Sequence, residues 1–200
     1  MIYIILASAS PRRHALMEQI NLKCSIHPAD IDENETPWSS PDRYTLELSG
    51  RKAQAVAKHY SNHLIIAADT VVSLDDRLLN KPDNPQHAFE YLKTLSGRTH
   101  QVTTGVTLVD SGEQKQQQFA VTTDVTFDQL SEEDIHSYIA TGSPMDKAGA
   151  YGIQDDWGAL FVSEIHGDYY NVVGFPLNRF YRELRAFAPR FLPRPVSTNT

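Results

Sequence analysis

The run Leu64-Ile65-Ile66-Ala67-Ala68 constrains the fold of this chain more than any other stretch. Five consecutive apolar residues are typical of a strand that is covered on both faces, because a half-exposed strand would alternate apolar and polar residues. Helical patterns precede and follow this run along the chain. The sequence therefore predicts a mixed α/β fold with a buried central strand.

Two polar residues, Asp69 and Thr70, follow the apolar run directly. A carboxylate at the carboxyl end of a buried central strand lies where ligands bind in open α/β sheets. Asp69 is therefore the best single candidate for chemistry in this chain. A predicted hairpin over residues 71–79 then returns Lys81 towards the same end of the sheet.

The stretch Leu6-Ala7-Ser8-Ala9-Ser10-Pro11-Arg12-Arg13 has the pattern of an anion site at the start of a helix. It follows a predicted short strand over residues 2–6. Ser10 can cap the first turn with its hydroxyl, and Pro11 fits the first helical position, where no N–H is needed. Arg12 and Arg13 then lie at the positive end of the helix dipole, which favours them only if an anion lies among them. The alternative is a pair of solvated arginines on a surface turn.

Two charged residues further along the chain could reach such a site. Ser40-Pro41 predicts the start of a helix that runs to about Tyr60, and Lys52 lies on its apolar face. This lysine either extends its stem along that face to reach solvent or points inward at an anion. The loop over residues 29–39 is rich in acids, among them Glu33. It is either a solvated loop or the source of a carboxylate that helps to hold a divalent cation.

The rest of the chain continues the alternation of helices and strands. The pattern predicts a helix that begins at Asn84-Pro85 and stops at Gly97, followed by strands over 99–109 and 121–127 with an exposed polar tip at 110–118. A helix from Ser131 to Gly142 comes next. The pattern then predicts a hairpin of strands at 159–165 and 169–173 and a last helix from Pro176. We expect one domain over residues 1–188, with two lobes and a cleft, and a flexible tail over 189–200.

Composition narrows the class of protein. A chain of 200 residues suits one domain with a real core, and no stretch approaches the ~20 apolar residues of a membrane span. Cys24 is the single cysteine, which excludes an internal disulfide, and a cytoplasmic location is the natural expectation. The net charge of −7 argues against binding of a nucleic-acid polymer but allows a small anionic ligand.

The candidate residues together fit one chemistry. The chain has no P-loop, no dinucleotide-binding glycine fingerprint and no nucleophile elbow. It does have the cations Arg12, Arg13, Lys52 and Lys81 and the acids Asp69 and Glu33. A clamp of cations, a metal-binding carboxylate and a carboxylate base are the parts of metal-assisted phosphoanhydride hydrolysis.

The opening stretch at 6–13 also resembles the signature of the Maf nucleotide pyrophosphatases. Further matching blocks follow in family order at Arg51-Lys52-Ala53, 68–72, Lys81-Pro82, 95–102, 146–154, 167–174 and Pro176-Leu177. The blocks cover roughly residues 2 to 185. The resemblance implies a fold like the inosine-triphosphate pyrophosphatases, with a twisted mixed sheet, flanking helices and an active-site cleft between two lobes.

The resemblance also implies an activity, the conversion of a nucleoside triphosphate to its monophosphate and pyrophosphate with Mg²⁺ or Mn²⁺. It implies that Asp69 is the proton acceptor and also lies on the metal side with Glu33. By the same match, the phosphate-binding positions are Ser8, Arg12, Arg13, Lys52 and Lys81, and the positions tied to base choice are Arg12, Thr70 and Gln154. The residues at these last positions resemble those of the subgroup that acts on dTTP and UTP. The resemblance also implies a homodimer, which is common in the family.

Two departures from the family pattern and two rival functions stay open at this point. Gly50 interrupts the helix that carries Lys52, and the segment over residues 155–158 is bulkier and more acidic than the expected glycine-rich turn. The second departure puts substrate preference in doubt. One rival is a non-catalytic nucleotide-binding regulator of cell division. The other is a pyrophosphatase that prefers 7-methyl-GTP or deaminated purines.

Overall fold

The computed structural model describes residues 3–154 and 157–193. In these ranges the strands are β1 Ile4–Leu6, β2 Ser25–Ile26, β3 Leu64–Leu74, β4 Arg77–Leu79, β5 Thr99–Asp110, β6 Lys115–Phe127 and β7 Val162–His166. The helices are α1 Pro11–Gln19, α2 Pro41–Ala57, α3 Pro85–Leu95, α4 Glu132–Ala140, α5 Gly158–Phe161, α6 Tyr169–Val173 and α7 Leu177–Phe187. Short 3₁₀ turns lie at Glu33–Glu35, Ser143–Asp146, Ala148–Ala150 and Pro189–Phe191.

The strands form one mixed sheet in the order β2-β1-β3-β5-β6-β7, with β4 paired to β3. β1 is parallel to both β2 and β3, and the other pairs are antiparallel. The predicted mixed α/β class is thus confirmed. None of the helices in the described ranges has the length and apolar character needed to cross a membrane.

One edge of β3 positions the site. β1 pairs with residues 64–66 of this edge, and β4 pairs with residues 72–74. Residues 67–71 lie between the two partners, and this interval contains Asp69 and Thr70. The expectation that Asp69 ends its strand is therefore wrong, because β3 continues to Leu74 by pairing with β5 along nearly its whole length.

Two hydrophobic cores lie along one face of the long strands. The even-numbered residues of β3 share this face. Those up to Ala68 belong to the first core, and those from Val72 onwards belong to the second. The first core packs β1, α1 and α7, and the second packs α3 and α4. Thr70 lies between the cores, which gives the predicted two lobes with a polar gap between them.

Helix α2 covers the opposite face, where Ile65 and Ala67 pack against Ala53 and Val56. Gly105 of β5 allows this helix to lie close to the sheet, since a Cβ there would come within 2.5 Å of the backbone of Thr45. In the register of the sheet, Gly105 lies directly opposite Asp69.

The helix runs without interruption through Gly50, one of the two departures from the family pattern. A Cβ at Gly50 would come 3.0 Å from the side-chain amide nitrogen of Gln118. This amide donates to the carbonyl of Leu46, so Gly50 leaves room for a contact between α2 and β6.

Three local predictions are wrong. Residues 169–173 form a helix rather than a strand, because Asp168 caps their first turn by accepting hydrogen bonds from the backbone of Tyr170 at 2.8 Å and Asn171 at 3.3 Å. The polar tip at 110–118 is shorter than predicted, since β6 begins at Lys115. The tail does not become free at residue 189, since Phe191 is buried in the first core and Arg190 pairs with Asp110. Residues 194–200 of the predicted tail lie outside the described residues.

Candidate active site

A cavity of about 560 Å³ lies at the open edge of β3. The start of α1, the inner face of α2 and the loop after β4 all contribute to its wall. The residues predicted from the sequence that line it are Ser8, Arg12, Arg13, Glu33, Lys52, Asp69, Thr70, Lys81 and Gln154. The fold therefore brings together side chains that are up to 146 positions apart in the chain, from Ser8 to Gln154.

Lys52 points inward, as one of its two interpretations predicted. Its Nζ lies 2.6 Å from Oδ1 of Asp69 and 2.9 Å from Oε1 of Glu33. The side chains of Lys52 and Asp69 are only 12% and 11% exposed, so their charges interact with little screening by water. One ammonium thus holds two carboxylates together at the cavity wall.

The acidic loop reaches Lys52 because α2 anchors it. Arg51, the neighbour of Lys52 in α2, donates to the Thr36 hydroxyl and to the Glu35 carboxylate, each at 2.6 Å. Asp32 caps the 3₁₀ turn at Glu33–Glu35 by accepting from the backbone N–H of Asn34. These contacts orient Glu33 towards the cavity.

Arg13 is partly buried, and its guanidinium is hydrogen-bonded to neutral oxygens. The Ser10 hydroxyl accepts a hydrogen bond from the backbone N–H of Arg13 at 3.5 Å, and Pro11 occupies the first turn of α1, as the sequence predicted. The guanidinium donates to the Gly174 carbonyl at 2.9 Å, the Ser8 hydroxyl at 3.2 Å and the Thr70 hydroxyl at 2.8 Å. Burial lowers the pKa of Arg13, and the charge of Asp69 opposes this shift. A partly buried cation whose partners are neutral favours the approach of an anion.

Arg12 contacts Asp146, a residue outside the predicted set of site residues. Its Nη1 lies 3.4 Å from Oδ2 of Asp146, and both residues line the cavity. The pKa of Asp146 is raised by burial, but the hydrogen bond and charge of Lys147, together with Arg12, outweigh that effect and leave it below the ordinary value. Asp146 and Lys147 belong to the matching block at 146–154, but nothing in the sequence pairs Asp146 with Arg12.

Lys81 and Gln154 complete the cavity wall as exposed residues. Lys81 follows β4, so the predicted hairpin does return it to the site. The second departure from the family pattern falls partly on residues 155 and 156, which lie outside the described residues.

The carboxylates of Glu33 and Asp69 are the candidate metal ligands. The described part of the chain holds no group of three or more histidine, cysteine, aspartate or glutamate side chains arranged to bind a metal. Tyr44 lines the cavity near the two carboxylates, and burial raises its pKa, as do the charges of Asp69 and Glu33. The protein thus offers two hard oxygen donors and a cation between them.

The fold and the cavity define an α/β protein with a cleft lined by cations and paired carboxylates. The chain belongs to the family of Maf-like proteins, whose model matches residues 3–187. It is 50% identical over 184 residues to the dTTP/UTP pyrophosphatase of Exiguobacterium sibiricum, an alignment that covers 92% of each chain. It is 46% identical to the dTTP/UTP pyrophosphatase of Bacillus cereus strain AH187, over 92% of this chain and 95% of that protein.

Two solved structures of Ham1 proteins also align with this chain. The Staphylococcus aureus protein gives a TM-score of 0.44 at 16% identity, over 62% of this chain and 71% of its own. The Coxiella burnetii protein gives a TM-score of 0.41 at 16% identity, over 64% of this chain and 73% of its own.

Proposed function

We propose that this chain hydrolyses dTTP and UTP to the nucleoside monophosphate and pyrophosphate. The observation that carries the proposal is the contact of Lys52 with both Asp69 and Glu33 in the cavity that also holds Arg13. The names of relatives at 46% and 50% identity supply the substrates. Membership of the family supports the same activity.

The triphosphate is bound by the cations of the cavity. Arg13 has two guanidinium nitrogens on the hydroxyls of Ser8 and Thr70, and a phosphate oxygen can join them because each terminal nitrogen has a second N–H. Lys81 and Arg12 approach the same space from other elements. Together these side chains offset the negative charge of the phosphates and hold the α-phosphorus near Asp69.

The donor set also fits a divalent metal ion. Mg²⁺ is commonly held by one or two carboxylates together with substrate phosphates, and Glu33 and Asp69 are two carboxylates that already share one cation. These two residues would hold the ion. When bound, it neutralises phosphate charge and makes the α-phosphorus a better electrophile.

Asp69 accepts the proton of the attacking water. Lys52 contacts its Oδ1, and we assign the proton to the other carboxylate oxygen, Oδ2. The water oxygen forms a bond to the α-phosphorus while the bond from that phosphorus to the bridging oxygen breaks. Pyrophosphate leaves with the electron pair, and the arginines and lysines stabilise its charge.

The base is selected by the side chains at the rim of the cavity, Arg12, Thr70 and Gln154. Thr70 acts through its hydroxyl, which accepts from Arg13 at 2.8 Å and lies 2.9 Å from that of Thr104. The exposed amide of Gln154 can both donate to and accept from a pyrimidine edge. A cytoplasmic location and a homodimer stay predictions.

The proposal is tested with dTTP, UTP, CTP, ITP and 7-methyl-GTP, each with Mg²⁺ or Mn²⁺ and a pyrophosphate assay. We expect the highest kcat/KM for dTTP and UTP. A higher kcat/KM for ITP or 7-methyl-GTP would show that the proposed preference for dTTP and UTP is wrong. Binding without pyrophosphate from any substrate would favour the non-catalytic regulator.

The role of Asp69 is tested with Asp69→Asn, which keeps the shape of the side chain and removes its basicity. We expect kcat to fall by about 10²–10⁴-fold, the usual contribution of a general base, while KM changes much less. Asp128→Asn is the matched control, since this aspartate is exposed and remote from the cavity. Near-normal turnover by a folded Asp69→Asn protein would refute the assignment.

A further inference from the structure

Asp146 presents a carboxylate to the cavity in a fixed position. Its Oδ1 lies 2.6 Å from Nζ of Lys147, and its Oδ2 lies 3.4 Å from Nη1 of Arg12. The Asp146 side chain is nevertheless 66% exposed, so its remaining lone pairs are open to a ligand. A carboxylate has about four lone-pair sites, and these two contacts leave others free.

Lys147 fixes this carboxylate rather than facing the ligand. Its side chain is only 8% exposed. In addition to Asp146, its Nζ contacts the carbonyl oxygen of Ser143 at 2.5 Å and the Ser143 hydroxyl at 3.2 Å. The ammonium is held by the backbone and side chain of Ser143 as well as by Asp146. Lys147 is thus a positioning residue for Asp146.

Donor groups line the same cavity as the Asp146 carboxylate. The guanidinium of Arg12 lies on one side as a donor, and the carboxylate of Asp146 can only accept. The amide of Gln154, which lines the same cavity, can donate. The Watson–Crick edge of uracil or thymine has partners for each of these groups, since carbonyl O4 and carbonyl O2 accept hydrogen bonds and N3–H donates one.

Cytosine presents a different edge. Its N3 carries no hydrogen and is an acceptor, so it would bring a lone pair against the carboxylate. A site that is built to hydrogen-bond one substrate group discriminates strongly against an analogue that lacks that group, because the polar atom of the site is left unpaired.

We propose that Asp146 is a specificity-determining residue that accepts a hydrogen bond from N3–H of thymine or uracil and thereby disfavours cytosine. This inference rests on the proposed function, since it assigns the base subsite of the same cavity. The lowered pKa of Asp146 supports it, because the side chain then stays an acceptor at neutral pH. Bases are read in this way when enzymes bind their Watson–Crick edges in pockets.

The test compares UTP, CTP and N3-methyluridine triphosphate, which lacks the N3–H donor. Each is assayed with the wild-type chain and with Asp146→Asn, whose amide can either accept from N3–H or donate to N3 of cytosine. We expect the variant to lower the ratio of kcat/KM for UTP to that for CTP by at least about tenfold, because the amide satisfies both bases. The preference for UTP over the methylated analogue should fall as well.

Asp75→Asn is the matched control. Asp75 also pairs with an arginine, Arg98 at 2.7 Å, and its side chain is also 66% exposed, but it does not line this cavity. This control should leave both ratios unchanged.

The outcomes separate this inference from the proposed function. If Asp146→Asn lowers kcat/KM for all three substrates by the same factor, Asp146 only orients Arg12 and the inference is wrong. Unchanged ratios in an active variant also overturn it. If the wild-type chain releases no pyrophosphate at all, the proposed function fails. Dissociation constants for UMP and CMP, measured by calorimetry with the same variants, then decide whether Asp146 discriminates the bases.

Discussion

Substitution of Gly105 by alanine should separate α2 from the sheet at the position of Asp69. The added Cβ would lie 2.5 Å from the carbonyl carbon of Thr45, 2.6 Å from its oxygen and 2.7 Å from the nitrogen of Leu46. All three atoms belong to the backbone of α2, so no side chain can rotate away. Carbon atoms need about 3.5 Å, and the helix must therefore shift by about 1 Å.

This shift has a cost in stability and in activity. Overpacking costs about 1–3 kcal/mol, and we expect the upper end because backbone must move. For a chain of this size that corresponds to a fall in Tm of about 6–12 °C. Lys52 moves with the helix, so its 2.6 Å contact with Asp69 should lengthen, and kcat/KM should fall by about 10–10²-fold.

Gly50→Ala is the matched control on the same helix. Its Cβ would come 3.0 Å from the flexible amide of Gln118, and alanine gains about 0.8–1 kcal/mol of helix propensity over glycine. We expect its free energy of unfolding to stay within about 1 kcal/mol of wild type. Urea denaturation and steady-state kinetics measure both variants. Wild-type Tm and kcat/KM in Gly105→Ala would refute the reasoning that close approach of α2 builds the site.

Two further predictions concern Arg13 and His100. Arg13→Ala removes a charged partner of the phosphates and should lower kcat/KM for dTTP by about 10–150-fold, because a charged hydrogen bond contributes about 1.5–3 kcal/mol. Unchanged kinetics would show that Arg13 has only a structural role. Burial lowers the pKa of His100 to about 4, so the unfolded chain binds a proton first as the pH falls below about 6.5. The contribution of neutral His100 to the free energy of unfolding is then fully present above pH 6.5, and roughly 3 kcal/mol of it should be lost towards pH 4. His100→Phe should largely remove this loss, which urea titrations at pH 4.5 and 7.5 measure. An equal loss in the variant would contradict this assignment.

Local signals in the sequence predicted the parts of the site that depend on neighbours along the chain. Ser10 and Pro11 predicted where α1 begins, and this placed Arg13 in its first turn. The spacing along α2 placed Lys52 on the inner face, although spacing alone could not decide between solvent and an anion. The contacts with Asp69 and Glu33 settle that Lys52 points inward.

The parts that the sequence did not predict depend on partners far apart in the chain. Asp69 was expected at a strand end, because the apolar run stops there; the strand continues through its long antiparallel pairing with β5. The sequence does not predict the role of Asp146, because its partner Arg12 is 134 positions away. The helix at 169–173 does have a local signal, namely Asp168 as a cap and Gly174, with φ of 122°, as the stop.

The three long strands have a consequence for how fast a ligand can enter and leave. β3, β5 and β6 are 11, 12 and 13 residues long, and each contributes side chains to both cores. The lobes therefore share one continuous hydrogen-bonded ladder, and rotation of one against the other would have to twist that ladder. Parts of the segments over residues 28–39 and 143–154 line the cavity without belonging to the sheet. We therefore expect these two segments, rather than a rotation of the lobes, to limit the exchange of substrate and product, and substitutions there to change turnover while the sheet keeps its stability.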